Sequence, residues 1–248
     1  MYNYKLMISY DGTHYSGWQV QPNGISIQGK IQEALQKILK HEVLVIGSGR
    51  TDAGVHALGQ VAHFKVAEPL DLYRLLASLN GILPRDIRIK RIEPAALEFH
   101  AQHSAIGKTY HYHLHLDYVQ DPFQRLYSWH VRAKVDLNLL HEASAFFPGT
   151  HDFTSFANEA HLGCAAYDPV RKLKRLDIVP EDGGVCLQFE GEGFLYKMVR
   201  NIVGTMIEVA SGKRKAACIP EIFAAKDRGQ AGQSAPPQGL FLMRVDYP

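Results

Sequence analysis

Val43-Leu44-Val45-Ile46-Gly47-Ser48-Gly49-Arg50-Thr51-Asp52-Ala53-Gly54-Val55-His56 is a β-branched run that breaks into a glycine-rich loop around one carboxylate. The apolar run reads as a buried strand. Gly47, Gly49 and Gly54 let the chain turn tightly and come close to another molecule. The loop is neither of the phosphate-binding loops that follow a strand in α/β folds. A G-x-G-x-x-G fingerprint would need glycine at Asp52, and a P-loop would need Lys-Ser/Thr after Gly54, where Val55-His56 stand. Such loops cradle anions with backbone N–H groups, and a carboxylate in the cradle repels phosphate. This loop presents an acid instead. The plain alternative is a solvated surface turn. Arg50 favours a functional carboxylate, because an opposite charge within reach lowers a carboxylate pKa by about 1–3 units and keeps it ionised under partial burial.

Working outward, Tyr4, Leu6, Ile8 and Tyr10 alternate with Lys5, Met7 and Ser9, a strand closed by Asp11-Gly12. Ser26 is a good N-cap for a helix with Ile27, Ile31, Ala34, Leu35, Ile38 and Leu39 on one stripe. Gln60 to Val66 reads as a strand after the Asp52 loop. Leu72, Leu75, Leu76 and Leu79 form a second helical stripe, stopped by Gly81 and Pro84. Ile87 and Ile89 lie in a closing strand. The order is β-α-β-β-α-β.

The second half repeats that order. Lys108 to Leu116 alternates, with Tyr110, Tyr112, Leu114 and Leu116 on one face and His111, His113 and His115 on the other. Val135 to Phe147 reads as a helix. Lys174 to Val179 and Val185 to Glu190 form a hairpin around Glu181-Asp182-Gly183-Gly184. From Phe194 to Ile207 apolar residues recur as a wide helical face, with Tyr196 and Arg200 four apart on a different one. Leu240 to Asp246 is the last strand. The expected fold is therefore α+β: two ferredoxin-like split β-α-β units, residues 1–105 and 106–248, packed side by side with a cleft between them.

The chain has 248 residues, 46% hydrophobic and 21% charged, the range of ordinary globular proteins. No apolar stretch is long enough to span a bilayer, so no membrane is expected as a partner. Met1-Tyr2-Asn3-Tyr4-Lys5 lacks the charged and apolar regions of a secretory leader. The three cysteines, Cys164, Cys186 and Cys218, are far apart and odd in number. That argues against a disulfide framework or a zinc site and points to a reducing cytoplasm. The net charge of +2 announces no polyanionic partner, so one would have to meet a local basic surface.

Alternate histidines such as His111, His113 and His115 can ligate a metal, but no carboxylate or cysteine spacing accompanies them in the sequence, and the expectation is no metal. Arg171, Lys172, Lys174 and Arg175, then Lys213, Arg214 and Lys215, are basic runs. Beside tyrosine-rich strands they suggest a nucleic-acid groove. A non-catalytic tandem RNA-binding module is one alternative, but the aromatic strand motif of the RNA-recognition class is absent. A glycoside hydrolase is another. It needs two carboxylates flanking one bond, and only Asp52 is placed.

Gly49-Arg50-Thr51-Asp52-Ala53-Gly54-Val55-His56 with Gly59-Gln60-Val61 resembles the catalytic motif of the tRNA pseudouridine synthase A family. Gly17-Trp18-Gln19, Lys108-Thr109-Tyr110-His111-Tyr112, His151 to Phe156, Met198 to Gly204 and Ala235 to Leu240 resemble further family segments in the family's order. The resemblance spans nearly the whole chain. It implies an enzyme that converts uridine to pseudouridine in the anticodon arm of tRNA, at positions 38, 39 and 40. It also implies a homodimer with no metal or organic cofactor. Asp52 matches the family's catalytic aspartate and Tyr110 its uracil-stacking tyrosine. Arg50 and Arg200 match basic residues that hold the substrate and the catalytic carboxylate. Gln102 and His111 stand where family members often carry arginine, which removes two charges at neutral pH.

Overall fold

A computed structural model of the chain describes residues 1–158 and 168–248, and Cys164 lies outside the described residues. In chain order the elements of the first half are β1 (Tyr2–Tyr10), α1 (Ile27–Leu39), β2 (Ile46–Gly47), β3 (His56–Val66), α2 (Leu72–Ile82) and β4 (Ile87–Ala95). Then come β5 (Gly107–His115), β6 (Trp129–His130), α3 (Leu137–Ser144), β7 (Gly149–Asp152), β8 (Val170–Glu181), β9 (Gly184–Gly191), α4 (Met198–Ala210), α5 (Ile219–Ala225) and β10 (Leu240–Asp246). The fold is mixed α+β on mostly antiparallel strands. Its contacts gather into two units, Met1–Ile106 with Phe241–Pro248, and Gly107–Leu240.

In the first unit the strand order is β4-β1-β3-β10, with the short β2 also on β3. β1 runs antiparallel to β3 and β4, while β10 joins β3 in parallel through Phe241–His56 and Leu242–Ala57. Leu6 and Ile8 of β1 are fully buried, as their alternation predicts. Ser26 caps α1 by accepting from Gly29 N–H, and the helix buries Ile27, Ile31, Ala34 and Leu35. Asp71 caps α2. Asn80 ties α2 to β4, bonding both backbone groups of Ile89 at 2.9 and 3.0 Å.

In the second unit the order is β5-β9-β8-β7, antiparallel throughout, with β6 parallel on β5. The β8–β9 hairpin turns through Asp182 and Gly183, and Gly183 takes the left-handed conformation at φ +70°. Helices α3 and α4 pack on each other, and the fully buried Phe147, Phe153 and Phe156 form an aromatic cluster with Phe223.

Four sequence expectations change. Val43 to Val45 is not a strand, because side chains of α1 take over its backbone: Gln32 accepts from Val45 N–H at 3.2 Å and Gln28 donates to its carbonyl at 2.7 Å. The long apolar helix begins only at Met198. Tyr196 lies in the preceding turn, which Lys197 closes in the left-handed conformation at φ +59°. The third helix is shorter than the expected Val135 to Phe147. The last strand pairs with β3, so residues 241–248 join the first unit.

Candidate active site

The Asp52 loop connects β2 to β3 and is clamped along its length. At its start Ser48 N–H donates to Val61 carbonyl at 2.7 Å, and Ser48 Oγ bonds Gln60 Oε1 at 2.7 Å. Gln60 Nε2 donates to Gly49 carbonyl at 3.0 Å. At the crest Thr51 is bound twice, its hydroxyl to Tyr10 Oη at 2.8 Å and its carbonyl by Trp18 N–H at 3.0 Å. Val55 N–H closes on Asp52 carbonyl at 3.1 Å, a turn made possible by Gly54 at φ +77°. Asp52 is half-buried and Arg50 is exposed, both on this loop.

Two glycines outside the loop hold it in place. A Cβ on Gly17, at φ +93°, would stand 2.5 Å from Thr51 carbonyl oxygen, and one on Gly12 would stand 2.0 Å from Val55 carbonyl oxygen. Their backbones therefore approach the loop as only glycine can. Tyr10 is 4% exposed, and burial pushes its phenol up to about 12, so it stays a neutral hydrogen-bonding support. His56 ends the loop, with Nδ1 at 3.1 Å from both Gly12 N and Asp11 Oδ1.

The other two sequence-predicted residues belong to the second unit. Tyr110 on β5 is 7% exposed and meets Phe194 edge-on at 5.0 Å between centroids. Arg200, in the first turn of α4, donates from Nε to Ala235 carbonyl at 2.7 Å, and Ala235 N–H returns a bond to Arg200 carbonyl at 3.0 Å. Neighbouring Asn201 is fully buried. It donates to Phe156 carbonyl at 2.9 Å and accepts from Arg228 at 3.0 Å and from Ser234 Oγ. Gly204 lets the same segment press on the helix: a Cβ there would stand 1.6 Å from Gln233 carbonyl oxygen. Tyr196 does not share a helical face with Arg200, since its carbonyl instead accepts from Asn158 N–H in the turn.

Several contributors are named in the sequence only within motifs or strands, without a role in the loop. Tyr10, Trp18, Thr51 and Gln60 set the loop's shape through contacts that no local spacing announces. Lys108 could have been found: it stands two residues before Tyr110 on an alternating strand and so shares its face. Desolvation pulls its ammonium down to about 8. On the opposite face of β5, His111, His113 and the buried thiol of Cys186 bring possible ligand atoms within 4.8 Å of one another. Burial raises that thiol to about 12, so without a cation it is a poor nucleophile.

A family model described as tRNA pseudouridine synthase matches residues 6–104 and 143–248. The chain belongs to the tRNA pseudouridine synthase family. Among curated relatives, tRNA pseudouridine synthase A 1 of Protochlamydia amoebophila is 65% identical over 100% of this chain and 97% of its own length. The tRNA pseudouridine synthase A of Geobacter sp. is 43% identical over 100% of both chains, and that of Chlamydia muridarum is 45% identical over 98% of this chain and 91% of its own.

As a tRNA pseudouridine synthase the chain is an isomerase. The N1–C1′ bond of uridine breaks, the uracil turns, and C5 bonds to C1′ while its proton is lost and N1 gains one. Substrate and product have the same atoms, so the work is to extrude, hold and reorient a base. Extrusion costs a few kcal/mol of unstacking, offset by contacts in the pocket. A synthase site therefore calls for an aromatic face, a positioned acid or base, and cations for the phosphates.

Proposed function

We propose that the chain makes pseudouridine at positions 38, 39 and 40 of tRNA, in the anticodon arm, as a cytoplasmic homodimer that uses no cofactor. Each unit is read as a ferredoxin-like split β-α-β arrangement. Asp52 is the acting carboxylate. Tyr110 stacks on the extruded uracil, a contact worth about 1–3 kcal/mol. Arg50 and Arg200 are the basic residues that hold the substrate. The observation that carries this reading is the clamped loop. Thr51, immediately before Asp52, is fixed through both its hydroxyl and its carbonyl, so the carboxylate is held by a frame rather than by a mobile turn.

The test uses purified protein, no additives, and tRNA transcripts tritiated at uracil C5 with uridine at only one of positions 38, 39 and 40. Pseudouridine formation releases the C5 tritium. The expected result is release from each transcript, reduced at least about a thousandfold in Asp52→Asn with tRNA binding intact. Near-normal turnover by that variant would overturn the assignment of Asp52. Free uracil would mark a hydrolase, and binding without release would mark a passive RNA-binding module. Release only from uridines elsewhere in the tRNA would overturn the anticodon-arm assignment.

A further inference from the structure

His111 and His113 lie on the face of β5 opposite Tyr110, and Cys186 of β9 is the direct cross-strand partner of His113. Directly opposed residues of an antiparallel pair share a face, so these three side chains converge. One ligand atom from each, a ring nitrogen of either histidine and Sγ of Cys186, lies within 4.8 Å of the other two. On a tetrahedral zinc ion such atoms would stand about 3.3–3.6 Å apart, which side-chain rotation alone can reach. Both strands are held in a ladder of eight paired positions from Lys108–Gly191 to His115–Gly184, so the backbone beneath the cluster is fixed.

The surroundings suit a cation. Glu181 Oε2 stands 2.7 Å from His113 Nδ1. A carboxylate on one nitrogen of a ligating histidine fixes the orientation of the ring. Arg175, a cation whose charge acts on His111, is already paired with Asp177 at 3.1 Å and Glu190 at 3.5 Å. A set of two imidazoles and one sulfur favours a soft or borderline ion over magnesium or calcium, which take oxygen ligands.

We propose that His111, His113 and Cys186 form a binding site for a zinc-class divalent cation, with Glu181 orienting His113 and water completing the shell. On binding, the cysteine thiol releases its proton to solvent and becomes a thiolate ligand. The ion would bridge β5 and β9 behind the strand that carries Tyr110, so its role is to brace that strand rather than to enter the reaction. The sequence hid the site because the sulfur arrives from a different strand.

Untagged, chelator-stripped protein titrated with Co²⁺ provides the test. The expected result is one equivalent bound with a thiolate-to-cobalt charge-transfer band, displaced by Zn²⁺. Cys186→Ser should abolish the band, and both Cys186→Ser and His111→Gln should weaken binding at least tenfold, while His103→Gln binds as wild type. Zn²⁺ should raise the melting temperature of the wild type and leave that of Cys186→Ser unchanged. Circular dichroism of both site variants checks folding, and the half-exposed His111 keeps the test alive if Cys186→Ser misfolds. Absence of the band, or Co²⁺ affinity indifferent to both substitutions, would overturn the site. Pseudouridine formation by Cys186→Ser in chelator keeps this result separate from the assignment of Asp52.

Discussion

At the scale of single residues, side chains that look alike in sequence have different work. Tyr112 is fully buried and spends its hydroxyl on Pro236 carbonyl at 2.7 Å, whereas Tyr110 keeps 7% of its surface open. Tyr112→Phe is expected to cost about 1 kcal/mol of stability in denaturant unfolding, with unchanged single-turnover rates once folded. If Tyr110 stacks on the base as proposed, Tyr110→Phe is expected to keep tRNA affinity, because the aromatic ring remains. Any fall in its single-turnover rate then measures the hydroxyl's part in the reaction. Gly17→Ala tests the frame of the loop. Its new methyl meets Thr51 carbonyl oxygen at 2.5 Å in a left-handed backbone, so the loop must move. A displacement near an ångström can cost about a hundredfold in rate. The expected result is that loss in kcat with tRNA affinity retained, and an unaltered kcat would show that the clamp is irrelevant.

Elements show where the sequence could be read and where it could not. The alternation of β1 and the Ser26 cap of α1 are local facts, and both appear as written. Val43 to Val45 has the composition and alternating burial of a strand, with Val45 fully buried and Leu44 68% exposed, yet its backbone bonds to glutamine side chains. Composition reports burial, not the partner of an amide. The start of α4 was misread for a similar reason: apolar spacing continued through Phe194 and Leu195, but the chain enters the helix through a left-handed lysine. Asp52 stood out because a carboxylate interrupts a glycine loop. The bonds that clamp that loop come from β1 and from the segment before α1, and no periodicity encodes them. Two glycines make a test at this scale. Gly204→Ala in α4 would drive a methyl to 1.6 Å from Gln233 carbonyl oxygen, and should destabilise the fold by about 2 kcal/mol or more. Gly81→Ala in α2 meets nothing within 4 Å and should stabilise it by about 0.5–1 kcal/mol. Thermal melts of the two variants should move in opposite directions.

For the whole molecule, acid is the sharpest lever. His63 is 3% exposed, and its Nδ1 accepts from Ala101 N–H at 3.1 Å, a bond only an unprotonated nitrogen can make. Burial, then the neighbouring His100 and Lys65, lower its pKa from 6.5 to about 4. The unfolded chain therefore binds a proton that the folded chain refuses. This contribution is complete above pH 6.5 and is lost as pH falls toward 4, on the order of 3 kcal/mol at the acid end. His100 is lowered too, first by burial and then by His103, and adds in the same direction. Melting temperature should fall across that window, and His63→Gln should flatten the fall. No helix among the described residues is long and apolar enough to cross a membrane.

The parallel seat of β10 on β3 has a consequence during synthesis. The first unit is not one uninterrupted stretch, since Phe241–Pro248 completes it. While the ribosome is still making the intervening residues, His56 and Ala57 lack the neighbours that Phe241 and Leu242 later supply, and the carbonyl of Ala101 waits for the hydroxyl of Tyr247. An open strand edge of this kind invites pairing with another chain. The nascent protein must therefore guard its first-made half until residues 241–248 emerge, so the arrival of that distant strand, and not the end of that half, sets when the acid-bearing unit can close.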